Sequence, residues 1–262
     1  MTTRSPTVAG SFYPADPAAL RSQCEELLTA EAAEGAVGSV KAVVAPHAGY
    51  MYSGPLAARS LSALSDGRPV DRVVVLGPAH FVGLDGLALP DADALATPLG
   101  ELKMDTEACA ELANLPQVDV SVQAHLREHS IEVELPFLQL LFPEVRLVPL
   151  LVGSSPPEEV AEVLELLWAC PATRFVVSSD LSHYLPYEEA RQVDQRTVES
   201  ILELDSSIST SQACGARPLN GLLLAARRHD LEPHTLGAAN SGDMAGDRQQ
   251  VVGYGAFAFT EN

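Results

Sequence analysis

Positive charge is scarce in this chain. Lys and Arg number 16 against 35 Asp and Glu, a formal net charge of −19 before histidines are counted. That balance excludes a general electrostatic grip on nucleic acid or anionic lipid, which needs clustered Lys and Arg, and it suits a soluble protein open to cationic ligands. Cysteine is equally sparse: Cys24, Cys109, Cys170 and Cys214 are scattered and no C-x-x-C pair occurs. Neither a zinc knuckle nor a disulfide framework is suggested, and a reducing cytoplasm is the simple expectation. No apolar run reaches the roughly 18–20 residues that cross a bilayer. The opening MTTRSPTVAGSFYP has no apolar core of the kind a signal peptide carries. There is no G-x-G-x-x-G, no Walker loop, no G-x-S-x-G elbow and no His-Glu-x-x-His. With aromatics at 5%, there is also no interleaving of rings and basic residues to serve as a nucleic-acid platform.

What is present is ordinary globular material: 262 residues, 47% hydrophobic and 19% charged. No internal repeat, low-complexity tract or linker divides it, so a single domain over 1–262 is expected. Short apolar runs at Val40–Ala45, Arg72–Leu76, Arg146–Val152, Phe175–Val177 and Val251–Phe259 read as strands buried on both faces. Helical patterns lie between and around them. Pro17–Ala33 has Asp16 as N-cap and proline at the first position. Pro55–Leu64, Asp105–Leu115, His129–Phe142, Pro157–Cys170, Pro186–Leu204 and Pro218–Asp230 follow. Pro136 is expected to kink or restart the fourth of these. The alternation predicts an α/β fold: a three-layer sandwich with a mostly parallel central sheet and helices on both faces.

Three of the strands end alike. Val43-Val44-Ala45-Pro46 runs into His47, Val75-Leu76-Gly77-Pro78-Ala79 into His80, and Val176-Val177-Ser178-Ser179 into Asp180-Leu181-Ser182-His183. In an open α/β sheet the carboxyl ends of the strands line the ligand crevice. One strand-end histidine is more often structural, hydrogen-bonded to a neighbouring loop. Three delivered to the same edge are explained together by one shared metal or catalytic site. Cys214, in a loop before Gly215 and Pro218, reads as a functional thiol, whereas Cys24, Cys109 and Cys170 fit helix packing. Asp180 and His183 are three apart, so on a helical turn the carboxylate would fix the imidazole tautomer and leave His183 to give or take a proton. His125 and His129 have helical metal-pair spacing, but Glu128, His129 and Glu132 are expected behind the strand-end histidines, orienting them. His229 and His234 are assigned no role. Arg217 has two readings, a contact to an anionic ligand group or a surface ion pair.

Six strings, Ala9-Gly10-Ser11-Phe12-Tyr13, Ala45-Pro46-His47-Ala48-Gly49-Tyr50, Leu76-Gly77-Pro78-Ala79-His80, Glu128-His129-Ser130-Ile131-Glu132, Ser178-Ser179-Asp180-Leu181-Ser182-His183 and Cys214-Gly215-Ala216-Arg217-Pro218, resemble in order the Memo family. Its bacterial and archaeal members are called AmmeMemoRadiSam system protein B. The resemblance runs from Val8 to Phe259 and implies a fold related to class III extradiol dioxygenases, whose non-haem iron lies at one end of an α/β sheet. It places His47, His80 and Cys214 at the family's metal positions and Asp180 and His183 among its other site-lining residues. It further implies a small-molecule or peptide ligand, and AMMECR1-like and radical-SAM protein partners in a modification pathway. Two imidazoles and a thiolate suit one transition metal ion, iron or copper, with zinc also compatible. Replacing the carboxylate of a dioxygenase site by Cys214 softens it relative to ring-cleaving iron. Three readings stand at this point: a metal-dependent redox or oxygenase-like protein, a metal-free hydrolase using Cys214, His183 and Asp180, and a ligand-binding module that keeps the cleft without turnover.

Overall fold

The apolar runs pair side by side, and their register decides where the chemistry goes. The computed structural model describes residues 2–31, 38–244 and 247–261. Among these residues it has strands β1 (Thr3–Arg4), β2 (Ser39–Ala45), β3 (Arg72–Pro78), β4 (Leu87–Leu89), β5 (Ala94–Thr97), β6 (Gly100–Lys103), β7 (Val118–Val120), β8 (Arg146–Val152), β9 (Thr173–Ser178), β10 (His183–Leu185), β11 (Glu232–Asn240) and β12 (Val251–Glu261). The helices are α1 (Pro17–Ala30), α2 (Tyr50–Ala63), α3 (Thr106–Leu112), α4 (Val122–His125), α5 (Leu135–Leu141), α6 (Pro157–Trp168), α7 (Tyr187–Leu202), α8 (Ala216–Arg228) and α9 (Ser241–Met244), with a 3-10 turn at Glu132–Glu134.

The main sheet runs β10-β12-β2-β9-β3-β8-β4-β7, with β11 also on β12. Its centre, β2-β9-β3-β8, is parallel, as unbroken Val/Leu runs buried on both faces require. The borders are antiparallel: β12 against β2 on one side and β4 against β8 on the other. Ala45 lies opposite Ser178 and Leu76 opposite Val177, so β2, β9 and β3 end level with one another. Helices α6 and α8 pack together over β9 and β3, while α1, α2 and α5 form a second group with α2 over β2 and β12. Val74, Leu76, Phe175, Val177 and Phe257 between the layers are fully buried, each side chain contributing about 1.5–3 kcal/mol by leaving water. A separate three-stranded sheet joins β1, β5 and β6.

Local signals set several boundaries. The Asp16 and Asp105 carboxylates accept from the backbone N–H of Ala19 and Ala108 at the starts of α1 and α3. The Ala33 end expected for the first helix lies outside the described residues. The second helix begins at Tyr50, with Pro55 inside it. It starts ahead of the expected Pro55, because Gly49 ends the strand-exit turn early enough for the helix to begin before the proline. The stretch 129–142 is a loop and a 3-10 turn before α5, which Pro136 restarts in its first turn. Strand β11 escapes the apolar-run criterion because its small, half-exposed residues carry no hydrophobic stripe. Cys170, expected in helix packing, is exposed just after α6, whereas Cys24 and Cys109 are buried.

Candidate functional site

His47, His80 and Asp180 each stand two residues beyond the end of a central strand, after β2, β3 and β9. Because those strands end level, all three reach one edge of the sheet. A fourth group comes from the loop after α4. There Ser130 donates its hydroxyl to the Pro78 carbonyl at 2.9 Å. A Cβ at Gly77 would stand 2.5 Å from the Ser130 oxygen, so glycine is what lets this loop close on β3. The closure brings His129 beside the strand-end histidines. Ring centroids lie 5.3 Å apart for His47 and His80, 5.2 Å for His80 and His129, and 5.7 Å for His47 and His129. One ring nitrogen from each falls within 4.8 Å of the other two, a group able to hold a metal ion.

The hydrogen bonds behind the rings fix which nitrogens are bare. His80 turns Nδ1 to Glu128 Oε1 at 2.9 Å, and the same carboxylate accepts from the backbone N–H of His80, His129 and Ser130. Burial alone would raise the Glu128 pKa, but the hydrogen bonds it accepts from the His80 ring and from the His80 and Ser130 backbone outweigh that and bring it to about 2. Glu128 therefore stays an anion and makes His80 Nδ1 the protonated nitrogen, leaving Nε2 as the donor atom. His47 is 2% exposed and turns Nδ1 to the Ser178 hydroxyl at 2.8 Å. Burial first, then the neighbouring imidazoles His80 and His129, hold its pKa well below the usual histidine value. Burial likewise lowers His129 and His183. Neutral imidazoles are the form that binds a metal.

Cys214 comes from the turn just before α8. Gly215 packs so tightly on Ser179 that a Cβ there would stand 2.6 Å from the Ser179 Cβ, and its N–H donates to the Ser179 hydroxyl at 2.9 Å. This places the Cys214 sulfur 3.4 Å from His47 Nε2. In a tetrahedral zinc site, Zn–S and Zn–N bonds of usual length span an S···N edge of about 3.5 Å, which this one pair matches. Among the described residues, however, the group that closes within 4.8 Å is His47, His80 and His129, and the expected third ligand Cys214 is not part of it. Without an ion, burial pushes the Cys214 thiol up to about 12, followed by the Asp180 charge.

His47, His80, His129, Asp180, His183 and Cys214 all line one cleft of about 1290 Å³, whose other walls mix rings and aliphatic groups such as Phe12, Tyr52, Tyr254 and Val252 with polar side chains such as Glu189, Arg196 and Gln212. Asp180 accepts from the His47 backbone N–H at 2.9 Å and, through burial, is pushed up to about 7. The pairing expected between Asp180 and His183 is not formed. The segment is an extended exit from β9 rather than a helical turn, and His183 donates Nδ1–H to the Leu181 carbonyl at 2.9 Å. The imidazole at the thiol is His47, so Cys214, His183 and Asp180 do not assemble as nucleophile, base and orienter.

Three other expectations resolve differently from one another. Glu132 does not face the histidines: it accepts from Thr7 and Val8 N–H, from the Tyr13 hydroxyl and from Arg4, clasping the N-terminal segment. Phe12 of that segment packs edge-on against His129 at 4.8 Å. Arg217 is exposed and lines a neighbouring cavity of about 280 Å³ that touches Cys214 from behind; it makes no ion pair among the described residues. His125 is buried with Nε2 on the Ala88 carbonyl at 2.8 Å, away from His129. Sequence reasoning missed Ser178 and Glu134, whose part depends on contacts between β9 and the 3-10 turn.

Among the described residues, no helix is long and apolar enough to cross a membrane. Residues 4–258 match the family model described as Memo-like protein. A MEMO1 family protein of Sulfolobus acidocaldarius is 38% identical over 96% of this chain and 97% of its own length. One from Methanopyrus kandleri is 36% identical over 98% of each, and one from Methanothermobacter thermautotrophicus is 38% identical over 96% of this chain and 98% of its own. A solved structure of an uncharacterized protein from Escherichia coli K12 aligns with a TM-score of 0.48 at 16% identity, over 82% of this chain and 99% of that one, too distant to inform the site. The match across nearly the full length of the family model and of its archaeal relatives places the chain in the Memo-like family.

Proposed function

We propose that this protein binds one transition metal ion, iron or copper with zinc also accommodated, and uses it in a redox or oxygenase-type reaction on a small molecule or peptide held in the cleft. The observation that carries the reading is the meeting of three imidazole nitrogens within 4.8 Å, with the Cys214 sulfur 3.4 Å from one of them. His47, His80 and Cys214 are the expected holders; the group supporting the reading is His47, His80 and His129, with Cys214 close to His47 but outside it. The donor set fits: His47 and His80 each have Nδ1 engaged behind the ring and Nε2 bare, and thiolate with imidazole suits these ions. A bound ion supplies Lewis acidity and, for iron or copper, one-electron chemistry.

The chain's own groups do the rest. Glu128 holds His80 in its tautomer. Phe12, Tyr52, Val252 and Tyr254 offer apolar surface to a ligand body, and Glu189, Arg196 and Gln212 offer polar contacts to it. Asp180 has its pKa at about 7 and His183 lies on the same cleft, so both are placed to hold or pass a proton at a bound ligand. A cytoplasmic setting and AMMECR1-like and radical-SAM partners complete the proposal. Co-purification with tagged candidates of those two classes tests the partners. The metal reading is tested by metal analysis of anaerobically purified wild type, His47→Ala, His80→Ala, His129→Ala and Cys214→Ala. Close to one equivalent in the wild type and a marked loss in the His47, His80 and Cys214 variants is expected; equal metal in all five overturns it.

A further inference from the structure

Ser178, the last residue of β9, has a hydroxyl with three partners and one hydrogen. His47 Nδ1 lies at 2.8 Å, the Ser130 carbonyl oxygen at 2.5 Å and Glu134 Oε1 at 2.9 Å. A hydroxyl donates once and accepts twice. The Ser130 carbonyl can only accept, so it takes the Ser178 hydrogen. The other two partners must then donate, His47 as Nδ1–H and Glu134 as a carboxylic acid O–H. Any other assignment leaves two lone pairs facing each other inside the fold. Glu134 agrees independently: it is fully buried, and its Oε2 has no hydrogen-bond partner among the described residues. A carboxylate anion does not persist in that state, whereas a neutral acid does.

We propose that Glu134 is a positioning residue: as a neutral acid it acts through Ser178 to keep the His47 proton on Nδ1 and the Nε2 lone pair facing Cys214 and the cleft. Burial also drives its pKa up, to about 8, in the same direction. The role differs from that of Glu128. Glu128 is an anion that orients His80 by direct contact, whereas Glu134 acts as a donor through one intervening hydroxyl. The use of the Nε2 lone pair by a metal rests on the function proposed above; the tautomer itself does not.

The test is therefore made first on metal-free protein, by long-range proton–nitrogen correlation NMR with 15N-histidine labelling and His47→Gln to assign the ring. Wild type is expected to show a protonated Nδ1 and a bare Nε2 at His47. Glu134→Gln, which donates through its amide, preserves that pattern. Glu134→Leu and Ser178→Ala shift it toward Nε2–H or a mixture, and the second variant stands in if the first does not fold. A wild-type Nε2–H tautomer, or an unchanged pattern in the folded Leu or Ala variant, overturns the proposal. Zinc(II) titration against a competing chelator then reads the consequence: Glu134→Leu weakens binding about 10–100-fold, the range for residues that support a ligand from behind, and Glu134→Gln by no more than about threefold. A wild type that binds no zinc but shows the Nδ1–H tautomer overturns the metal reading and upholds the positioning role.

Discussion

Strands β2 and β9 bury polar groups at both of their ends, and the two ends are built to opposite rules. At the start of β2, Lys41 is 1% exposed and spends its ammonium hydrogens on the Trp168 and Cys170 carbonyls, 3.1 and 3.2 Å away. Its charge also lies 5.6 Å from the centres of the Trp168 and Phe175 rings. At the start of β9, the fully buried Arg174 donates to the Pro171 carbonyl and faces Asp66 at 3.7 Å. What is left over there is donors, not lone pairs: Arg174 Nε and Nη2 have no hydrogen-bond partner among the described residues, and Asp66 faces the guanidinium only as a charge. At the far ends of the same strands, His47 and Ser178 use their hydrogens on each other and on the backbone, and a bare nitrogen is left pointing into a cleft. Burial of polar groups is common to both ends. What separates a structural end from a chemical one is whether lone pairs remain over after the internal hydrogen bonds are counted.

This contrast is open to attack from both sides. The largest effect is expected at the structural end. Asp66→Ala strips the anion from the buried Arg174 and should cost about 3–5 kcal/mol in chemical denaturation, with zinc affinity of the folded fraction unchanged; a loss of metal binding would couple the two ends. At the other end, Glu128→Gln should weaken zinc about 10–100-fold in a chelator competition, with only a minor shift in melting temperature.

A pH titration sharpens the difference further. With Glu134 raised from 4.5 to about 8, the folded chain keeps between those values a proton that the unfolded chain has released. Glu134 therefore makes stability fall as pH rises through that window. Denaturation of metal-free Glu134→Gln should show a flatter decline than wild type between about pH 4.5 and 8, and parallel curves would count against a buried acid. Smallest is a contrast in thiols. Cys170 is exposed, and its hydrogen bond with Thr173 lowers its pKa, whereas Cys214 lies near 12. Iodoacetamide at pH 8 should label Cys170 first, read by peptide mass spectrometry; faster labelling of Cys214 would mean its thiolate is stabilised by something other than a metal.

The central sheet and its strand-end histidines were legible because unbroken aliphatic runs have one good solution, and residues just past such runs share an edge. His80 and His47 needed nothing more. Glu128 and Glu132 show where that legibility stops. Both are expected behind the strand-end histidines, yet one holds imidazoles and the other holds the chain's first turns. The two part because residues 126–131 form a non-helical loop and Glu132 opens the 3-10 turn after it. His129 too is expected behind the histidines, and the close fit of Ser130 against Gly77 sets it among them instead. The expected Asp180–His183 pair assumed a helical turn where the chain leaves a strand. Ser178 and Glu134 carry no local signature at all, since a serine at a strand end and a glutamate before an apolar helix are both ordinary. Their meaning exists only in a three-way contact across 44 residues of sequence.

The clasp of Glu132 around Thr7, Val8 and Tyr13, with Phe12 laid against His129, makes the opening segment a strap over the loop that carries Glu128 and His129. A protease nick near Gly10 would leave every candidate ligand chemically intact and still slacken that loop. Preparations that differ only by a trimmed leading end should then differ in metal content, and an affinity handle is better fused at the other end of the polypeptide.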